Sequence, residues 1–261
     1  DTAKIVNPYE ETDAFIPEIK VMHEFYKKGF VPKDAATSDQ GYPLDADTWF
    51  MRRETVGPRD YGNYLLRAVS GKALEIVPHG DTIIKTNAQA RMSNFVIAQN
   101  SDHVEESVKL LNYINSKPEI MNTLVYGLEG ENWEKVGEDK IKLLPKYNEG
   151  ATHMSAWNTG NAALLYKDER ITPEQLAASE KGLKEATESP LLGFNFNQEP
   201  VADEIANVNN VVNEYVAGLH TGTVDPEKVL PEFNKALKDA GLDKIKVEMQ
   251  RQYDEFLKNK N

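Results

Sequence analysis

The feature that most limits the possible folds is a pair of apolar stripes at helical spacing near the C-terminus. They run over residues 201–219 and 229–237, where apolar side chains recur every three or four positions. Asp225 followed by Pro226 is a typical helix start, and Gly241 is a typical stop. The pattern predicts consecutive amphipathic helices, each with a face that must pack against other parts of the protein.

The first part of the chain mixes helices with short strands. Helical spacing is strong in "DAFIPEIKVMHEFYKKGF" and "VEESVKLLNYIN", and a further helix starts at Pro118 and ends at Tyr126. The runs "LEIVPH" and "SNFVIA" are β-like, and "WEKVGEDKIKLL" predicts a hairpin around a polar turn. We therefore predict an α/β region over residues 1–150, followed by a mainly helical region over 151–261.

Composition excludes several classes of function. Thirty Lys and Arg residues against 42 Asp and Glu give a net charge of −12, without the basic stripe that binds phosphates, so nucleic acid is not an expected partner. The chain has no cysteine, and its five histidines are not paired at helical metal-ligand spacing, so we expect no metal site. No nucleotide-binding motif is present, and no cofactor is expected.

Enzymatic function has one candidate form, a carbohydrate-active hydrolase. The common G-x-S-x-G and H-E-x-x-H motifs are absent. A pair of carboxylates for glycoside hydrolysis stays open as an alternative, because the required separation is spatial and the chain has 42 acidic residues. Most of these acids, as in "EKGLKEATE", are expected to lie on solvated helix faces.

Several aromatic residues stand beside small polar residues and outside the helical stripes. These are Trp49, Tyr61, Tyr64, Trp157, Phe194 and Phe196. Flat rings next to amide and charged groups suit a sugar, whose C–H faces pack on the ring while its hydroxyls form directional hydrogen bonds. The alternative is that these rings fill gaps between a sheet and its helices.

Longer segments of the chain resemble a known family. The segments are "KVMHEFYKKGFVPKDAAT", "NSDHVEESVKLLNYINSKPEIMNTLVYGLEGENWE", "AWNTGN", "SPLLGFNFNQEPVADEIANV" and the tail "LKDAGLDKIKVEMQRQYDEF". They resemble the extracellular solute-binding proteins of bacterial ABC importers, in particular the carbohydrate-binding lipoproteins. The similarity covers nearly the whole chain, and the Tyr-Gly-Leu-Glu-Gly segment and the Glu-x-Gln-x-Gln tail are its most specific parts.

The resemblance implies a type II periplasmic-binding-protein-like fold that closes on its ligand by hinge motion. Residues 1–150 would then be the second lobe, and 151–261 would pack against a first lobe that lies upstream. On this expectation the chain corresponds to the C-terminal portion of a lipoprotein, with signal peptide and lipobox cysteine upstream. Gly127 and Gly130 would allow a sharp turn near the hinge, with Glu129 either binding a hydroxyl or fastening the hinge.

Placement and resemblance together predict the ligand-binding residues. The rings expected to stack on a sugar are those of Trp49, Tyr126, Trp157 and Phe194. The polar groups expected to bind its hydroxyls are those of Arg52, Glu129 and Asn161. The expected function is capture of an oligosaccharide outside the cell and delivery to a membrane permease, by a monomer anchored through lipid. A helical scaffold that binds only protein is a third possibility, and the sugar class itself comes from the resemblance.

Overall fold

The structure is a computed structural model that describes residues 4–39, 41, 43–51, 54, 66–67, 70–75, 77, 83–148 and 153–260. The chain divides into two compact units. The terminal unit comprises residues 1–42 and 193–261, and the central unit comprises residues 43–192.

The described secondary structure is mostly helical. The helices are α1 (Ile16–Lys27), α2 (Asn87–Ala90), α3 (Val104–Ser116), α4 (Pro118–Tyr126), α5 (Ala156–Thr159), α6 (Pro173–Glu185), α7 (Ala202–Thr221), α8 (Pro226–Asp239) and α9 (Leu242–Asn259). The strands are β1 (Ile84–Lys85), β2 (Trp133–Lys135), β3 (Lys140–Leu143), β4 (Lys167–Asp168) and β5 (Thr187–Glu188). Short 3-10 helices cover Pro145–Asn148, Ala162–Leu164 and Glu199–Val201.

The terminal unit is a helical cluster formed by α1, α7, α8 and α9. Its core contains the buried side chains of Ile19, Leu219, Leu230, Phe233 and Leu237. These residues come from the two stripes and from the first predicted helix, and burying each such side chain contributes roughly 1.5–3 kcal/mol. The helices predicted from the stripes are therefore confirmed, and α8 begins as expected with the Asp225 carboxylate accepting a hydrogen bond from the Glu227 N–H at 3.0 Å.

The central unit contains two small sheets. Strands β2 and β3 form the predicted antiparallel hairpin, and β4 adds to β3 in parallel. Strands β1 and β5 pair in parallel with Ile84 opposite Thr187. A separate core lies beside α4, where Ile114, Met121 and Val125 are buried together.

One expectation drawn from the sequence differs from the structure. Residues 93–98, "SNFVIA", are not a strand, because no strand among the described residues pairs with them and Phe95 and Val96 are exposed. The predicted strand at 74–79 lies partly outside the described residues. The terminal unit groups α1 with the C-terminal helices, because α1 packs against α7. The assignment of 1–150 and 151–261 to parts of two lobes stays a prediction.

Helix α6 begins with a complete capping box. The Gln175 N–H donates to the Thr172 hydroxyl oxygen at 3.2 Å, and the Thr172 N–H donates to Gln175 Oε1 at 3.0 Å. We expect Thr172→Ala to lower the free energy of unfolding by about 1 kcal/mol, because the Gln175 N–H at the helix start loses its acceptor, the Thr172 hydroxyl oxygen. Urea unfolding followed by tryptophan fluorescence measures this effect.

Thr123→Ala is the matched control for this substitution. The Thr123 hydroxyl lies in the middle of α4, is exposed, and donates only to the Glu119 carbonyl one turn earlier at 2.8 Å. Alanine is a good helix former, so the control should leave stability unchanged or slightly raised. Equal losses in the two variants would contradict a contribution from the cap.

No helix in the part of the chain that the structure describes combines the length and the apolar character needed to span a membrane.

Candidate functional site

A surface cleft in the central unit brings together aromatic and amide side chains. Its volume is about 320 Å³, and its apolar side is formed by Met92, Phe95 and Trp157. Trp157 is 60% exposed, which is unusual for so large an apolar side chain. Exposed rings at a concave site indicate a surface kept open for a ligand.

The position of Trp157 is fixed by short-range contacts around α5. The Thr159 hydroxyl is buried and donates to the Ser155 carbonyl at 2.6 Å, across this single helical turn. The Ser93 hydroxyl donates to the Asn158 carbonyl at 3.0 Å, which ties the segment after α2 to α5. These two hydrogen bonds hold the backbone that places the ring at the cleft.

The polar side of the cleft is formed by Gln89, Ser93, Asn115 and Asn158. Gln89 lies in α2, where its Oε1 accepts from the Thr86 N–H at 3.1 Å as part of a capping box. The Asn115 Nδ2 donates to the Leu111 carbonyl at 2.8 Å near the end of α3. The Gln89 and Asn115 side chains are thus each oriented by one hydrogen bond to a backbone group of their own helix or its cap.

Several polar atoms at the cleft have no partner within the described residues. They are the Trp157 indole N–H, both polar atoms of the Asn158 amide, the Gln89 Nε2 group and the Asn115 Oδ1 atom. Donors and acceptors of this kind are satisfied by water until a ligand replaces it. The arrangement can bind a polar, ring-shaped molecule through both a flat face and its edges.

Seven residues are predicted from the sequence to bind the ligand. Of those whose side chains the structure describes, Trp157 is the one that lines this cleft. Asn161 lies close by and is exposed. Its Oδ1 accepts from the Ala163 N–H at 3.1 Å, and its Nδ2 donates to the Asn115 carbonyl at 3.4 Å. Asn161 therefore caps the 3-10 helix that follows and holds the end of α3 beside it.

Tyr126 ends α4, and Glu129 is exposed in the loop that follows. The Tyr126 hydroxyl donates to the Tyr166 carbonyl at 2.9 Å, and its ring is tilted against Tyr147 at 6.3 Å between centroids. Burial raises the pKa of the Tyr147 hydroxyl, and the nearby Asp168 carboxylate raises it further. Tyr126 has a packing role here, and a ligand-binding role for Tyr126 or Glu129 stays a prediction.

The remaining predicted residues lie elsewhere. Trp49 is half-buried, and its indole N–H donates to the Leu44 carbonyl at 3.2 Å. Phe194 belongs to the terminal unit, where its ring lies 5.4 Å from that of Tyr253 and 5.6 Å from that of Phe256. Arg52 lies outside the described residues. Ligand binding by these three residues stays a prediction.

Sequence reasoning missed the polar half of the cleft. Gln89 and Ser93 lie in a stretch that we interpreted as strands and loops, and Asn115 lies on a helix with a clear apolar stripe. The capping pattern Thr86-x-x-Gln89 was the available signal for α2, since it marks a helix start in the same way as the Thr172 cap. Nothing in the local pattern of Asn115 indicated its neighbour Trp157.

Among the described residues no group of three or more His, Cys, Asp or Glu side chains is arranged to hold a metal ion. The described lining of the cleft contains no titratable side chain. The site is built for binding through neutral hydrogen bonds and ring contacts.

Comparison with known proteins decides the family. Residues 190–258 match a domain of unknown function, DUF3502. The whole chain is 48% identical over 263 aligned positions to a carbohydrate ABC transporter substrate-binding protein of Streptococcus pneumoniae serotype 4. The chain matches a solute-binding protein over its whole length. It spans 53% of the length of that relative.

Solved structures agree with this assignment. The crystal structure of the N-glycan transport solute binding protein NgtS from Streptococcus pneumoniae matches with a TM-score of 0.91 and 48% identity, over 100% of this chain and 58% of the other. The same protein in complex with Man5GlcNAc matches with a TM-score of 0.89, over 100% of this chain and 57% of the other. The predicted family and the predicted periplasmic-binding-protein-like fold are confirmed.

Proposed function

We propose that this solute-binding protein captures an extracellular oligosaccharide by hinge closure and delivers it to the membrane subunits of an ABC importer. The observation that carries the proposal is the exposed ring of Trp157 in an amide-lined cleft. It occurs in a chain that is 48% identical to a protein crystallised with Man5GlcNAc. The relatives are transport proteins, so the hydrolase alternative has no support from them.

The chemistry of the cleft fits a sugar ring. The C–H face of a hexose packs on a flat indole ring, and its hydroxyls both donate and accept hydrogen bonds. Carboxamide side chains such as that of Asn158 offer a donor and an acceptor on one planar group, which matches the paired hydroxyls on a sugar edge. Sites of this kind combine an apolar surface with a few oriented polar groups.

Capture of a nutrient for an importer places the protein outside the cytoplasmic membrane. We propose an extracellular or periplasmic location, a lipid anchor to the cell membrane and a monomeric state. The partners are the carbohydrate and the transmembrane subunits of the permease. A net charge of −12 is consistent with a protein that does not adhere to anionic lipid surfaces.

Trp157→Ala tests the proposal. We expect it to weaken binding of Man5GlcNAc on the order of tenfold to a hundredfold, because an aromatic ring that stacks on a ligand contributes a large apolar contact. The measurement is isothermal titration calorimetry on the protein with any flanking sequence that its gene encodes. Chromatography of the recovered glycan shows whether it is intact.

Phe30→Ala is the matched control, since Phe30 is also a ring with high exposure, 71%, but lies in the terminal unit. It should leave the affinity for Man5GlcNAc unchanged. A saturable heat with intact glycan recovered supports a transport receptor. Cleaved glycan would establish a hydrolase, and binding of a control peptide without binding of any sugar would overturn the ligand class.

A further inference from the structure

The polar groups in the described lining of the cleft beside Trp157 are all uncharged. Its described lining has amide, hydroxyl, thioether and aromatic side chains, and no Lys, Arg, His, Asp or Glu. A carboxylate that entered this cleft would lose part of its hydration and gain only neutral hydrogen bonds, which is unfavourable for a charged group. The net charge of −12 adds a long-range repulsion for anions.

The unpartnered atoms match the requirements of an uncharged ring. Trp157 supplies a flat face and one N–H donor, and Asn158 supplies one donor and one acceptor without a partner in the described structure. Asn115 Oδ1 adds an acceptor and Gln89 Nε2 adds a donor. Hydroxyl groups satisfy donors and acceptors alike, whereas a carboxylate accepts only and would leave the acceptors at the cleft unpaired.

We propose that the cleft formed by Trp157, Asn158, Asn115 and Gln89 is a subsite for one uncharged sugar unit, and that it selects against acidic sugars. This inference rests on the proposed function and names the substrate class of the same site. Asn158 is the specificity-determining residue. Its side-chain amide is half-buried at the cleft and has no hydrogen bond to the described part of the protein.

The experiment compares two glycans that differ in charge. One is Man5GlcNAc, and the other is the same glycan with its terminal hydroxymethyl groups oxidised to carboxylates. Calorimetric titration of the protein, with any flanking sequence that its gene encodes, should show the oxidised glycan binding at least about tenfold more weakly. The Asn158→Ala variant should bind Man5GlcNAc about tenfold more weakly than the native protein, because the bound hydroxyls lose two hydrogen bonds.

A charge variant tests the selectivity directly. Asn158→Lys places a cation at the cleft and should raise the affinity for the oxidised glycan relative to Man5GlcNAc by about tenfold or more. Asn112→Lys is the matched control, because Asn112 is exposed on α3 and does not line the cleft. It adds the same charge to the protein and should leave the ratio of the two affinities unchanged. Thermal unfolding confirms that both variants fold.

The outcomes separate this inference from the proposed function. Equal affinity of the native protein for the two glycans, or unchanged binding in Asn158→Ala, overturns the subsite and leaves oligosaccharide capture standing. A ratio that shifts as much in Asn112→Lys as in Asn158→Lys assigns the effect to overall charge and also overturns the subsite. Failure of the native protein to bind any sugar overturns the proposed function, and the inference with it.

Discussion

Gly222→Ala is expected to lower the free energy of unfolding of the terminal unit by about 3–5 kcal/mol. Gly222 follows α7 with φ +74 and ψ 8, a left-handed conformation that costs an alanine about 1–2 kcal/mol. A Cβ atom at this position would lie 2.2 Å from the Met22 carbonyl oxygen and 2.6 Å from the His23 nitrogen. Both are backbone atoms of α1, so the clash cannot be relieved by a side-chain rotation.

The clash can then be relieved by a shift of α1 away from α7. That shift would separate Ile19 from Leu219, which share the core of the terminal unit, and would break the 2.8 Å hydrogen bond between His23 Nδ1 and the Gly222 carbonyl. Domains have a total stability of about 5–15 kcal/mol, so a loss of this size removes much of the margin. Urea unfolding followed by circular dichroism, which reports helix content, measures it.

Gly29→Ala separates the two causes of this loss. Gly29 follows α1 with φ +75 and belongs to the same unit, but no atom lies within 4 Å of a Cβ placed there. It should lose only about 1–2 kcal/mol, from the backbone conformation alone. If Gly222→Ala lost no more than Gly29→Ala, the close approach of α7 to α1 would have no energetic importance.

The helices of the terminal unit could be predicted because the apolar side chains that recur at helical spacing are also the side chains that are buried there. The two stripes place Leu219, Phe233 and Leu237 on inward faces, and these side chains are buried. Parallel pairing of β1 with β5 could not be predicted, since Ile84 and Thr187 are far apart in the chain and each strand has two residues. So short a strand carries no periodicity, and its partner is set by tertiary packing.

The candidate site could be predicted only in part, for a related reason. Trp157 and Phe194 follow the same rule, an aromatic residue beside small polar ones, yet Trp157 is 60% exposed at a cleft while Phe194 packs against Tyr253. The local sequence does not show which residues from distant parts of the chain will pack beside a given ring. Tertiary structure brings Gln89 and Asn115 to the ring of Trp157, and neither residue stands near it in sequence.

The segment "LVYGLEGENWEKV" shows the opposite case, in which local chemistry explains the turn. Two glycines surround Leu128 and Glu129, and both have positive φ, +86 at Gly127 and +81 at Gly130. The Trp133 indole N–H donates to the Gly127 carbonyl at 2.9 Å, and the Leu128 N–H donates to Asn132 Oδ1 at 3.0 Å. The glycine turn is thus held by contacts within one short stretch of chain, and Asn132 Nδ2 also donates to the Lys146 carbonyl at 3.3 Å.

We expect Gly127→Ala to destabilise the central unit by about 3–5 kcal/mol. At φ +86 and ψ −151 the residue lies in a region of conformation that is essentially restricted to glycine, with a cost of about 1–3 kcal/mol for other residues. A Cβ atom there would lie 2.5 Å from Asn132 Oδ1 and 2.7 Å from Asn132 Cγ. Asn132 is buried, so moving it would also break its bond to the Leu128 N–H.

Gly130→Ala is the control that completes this prediction, because Gly130 has nearly the same φ but no atom within 4 Å of an added Cβ. The three tryptophans all lie in the central unit, and Trp133 itself contacts this loop, so tryptophan fluorescence during urea unfolding reports the loss. A loss of about 1–2 kcal/mol is expected for Gly130→Ala. Equal losses at both positions would mean that Asn132 yields freely and that its close approach to Gly127 has no energetic importance.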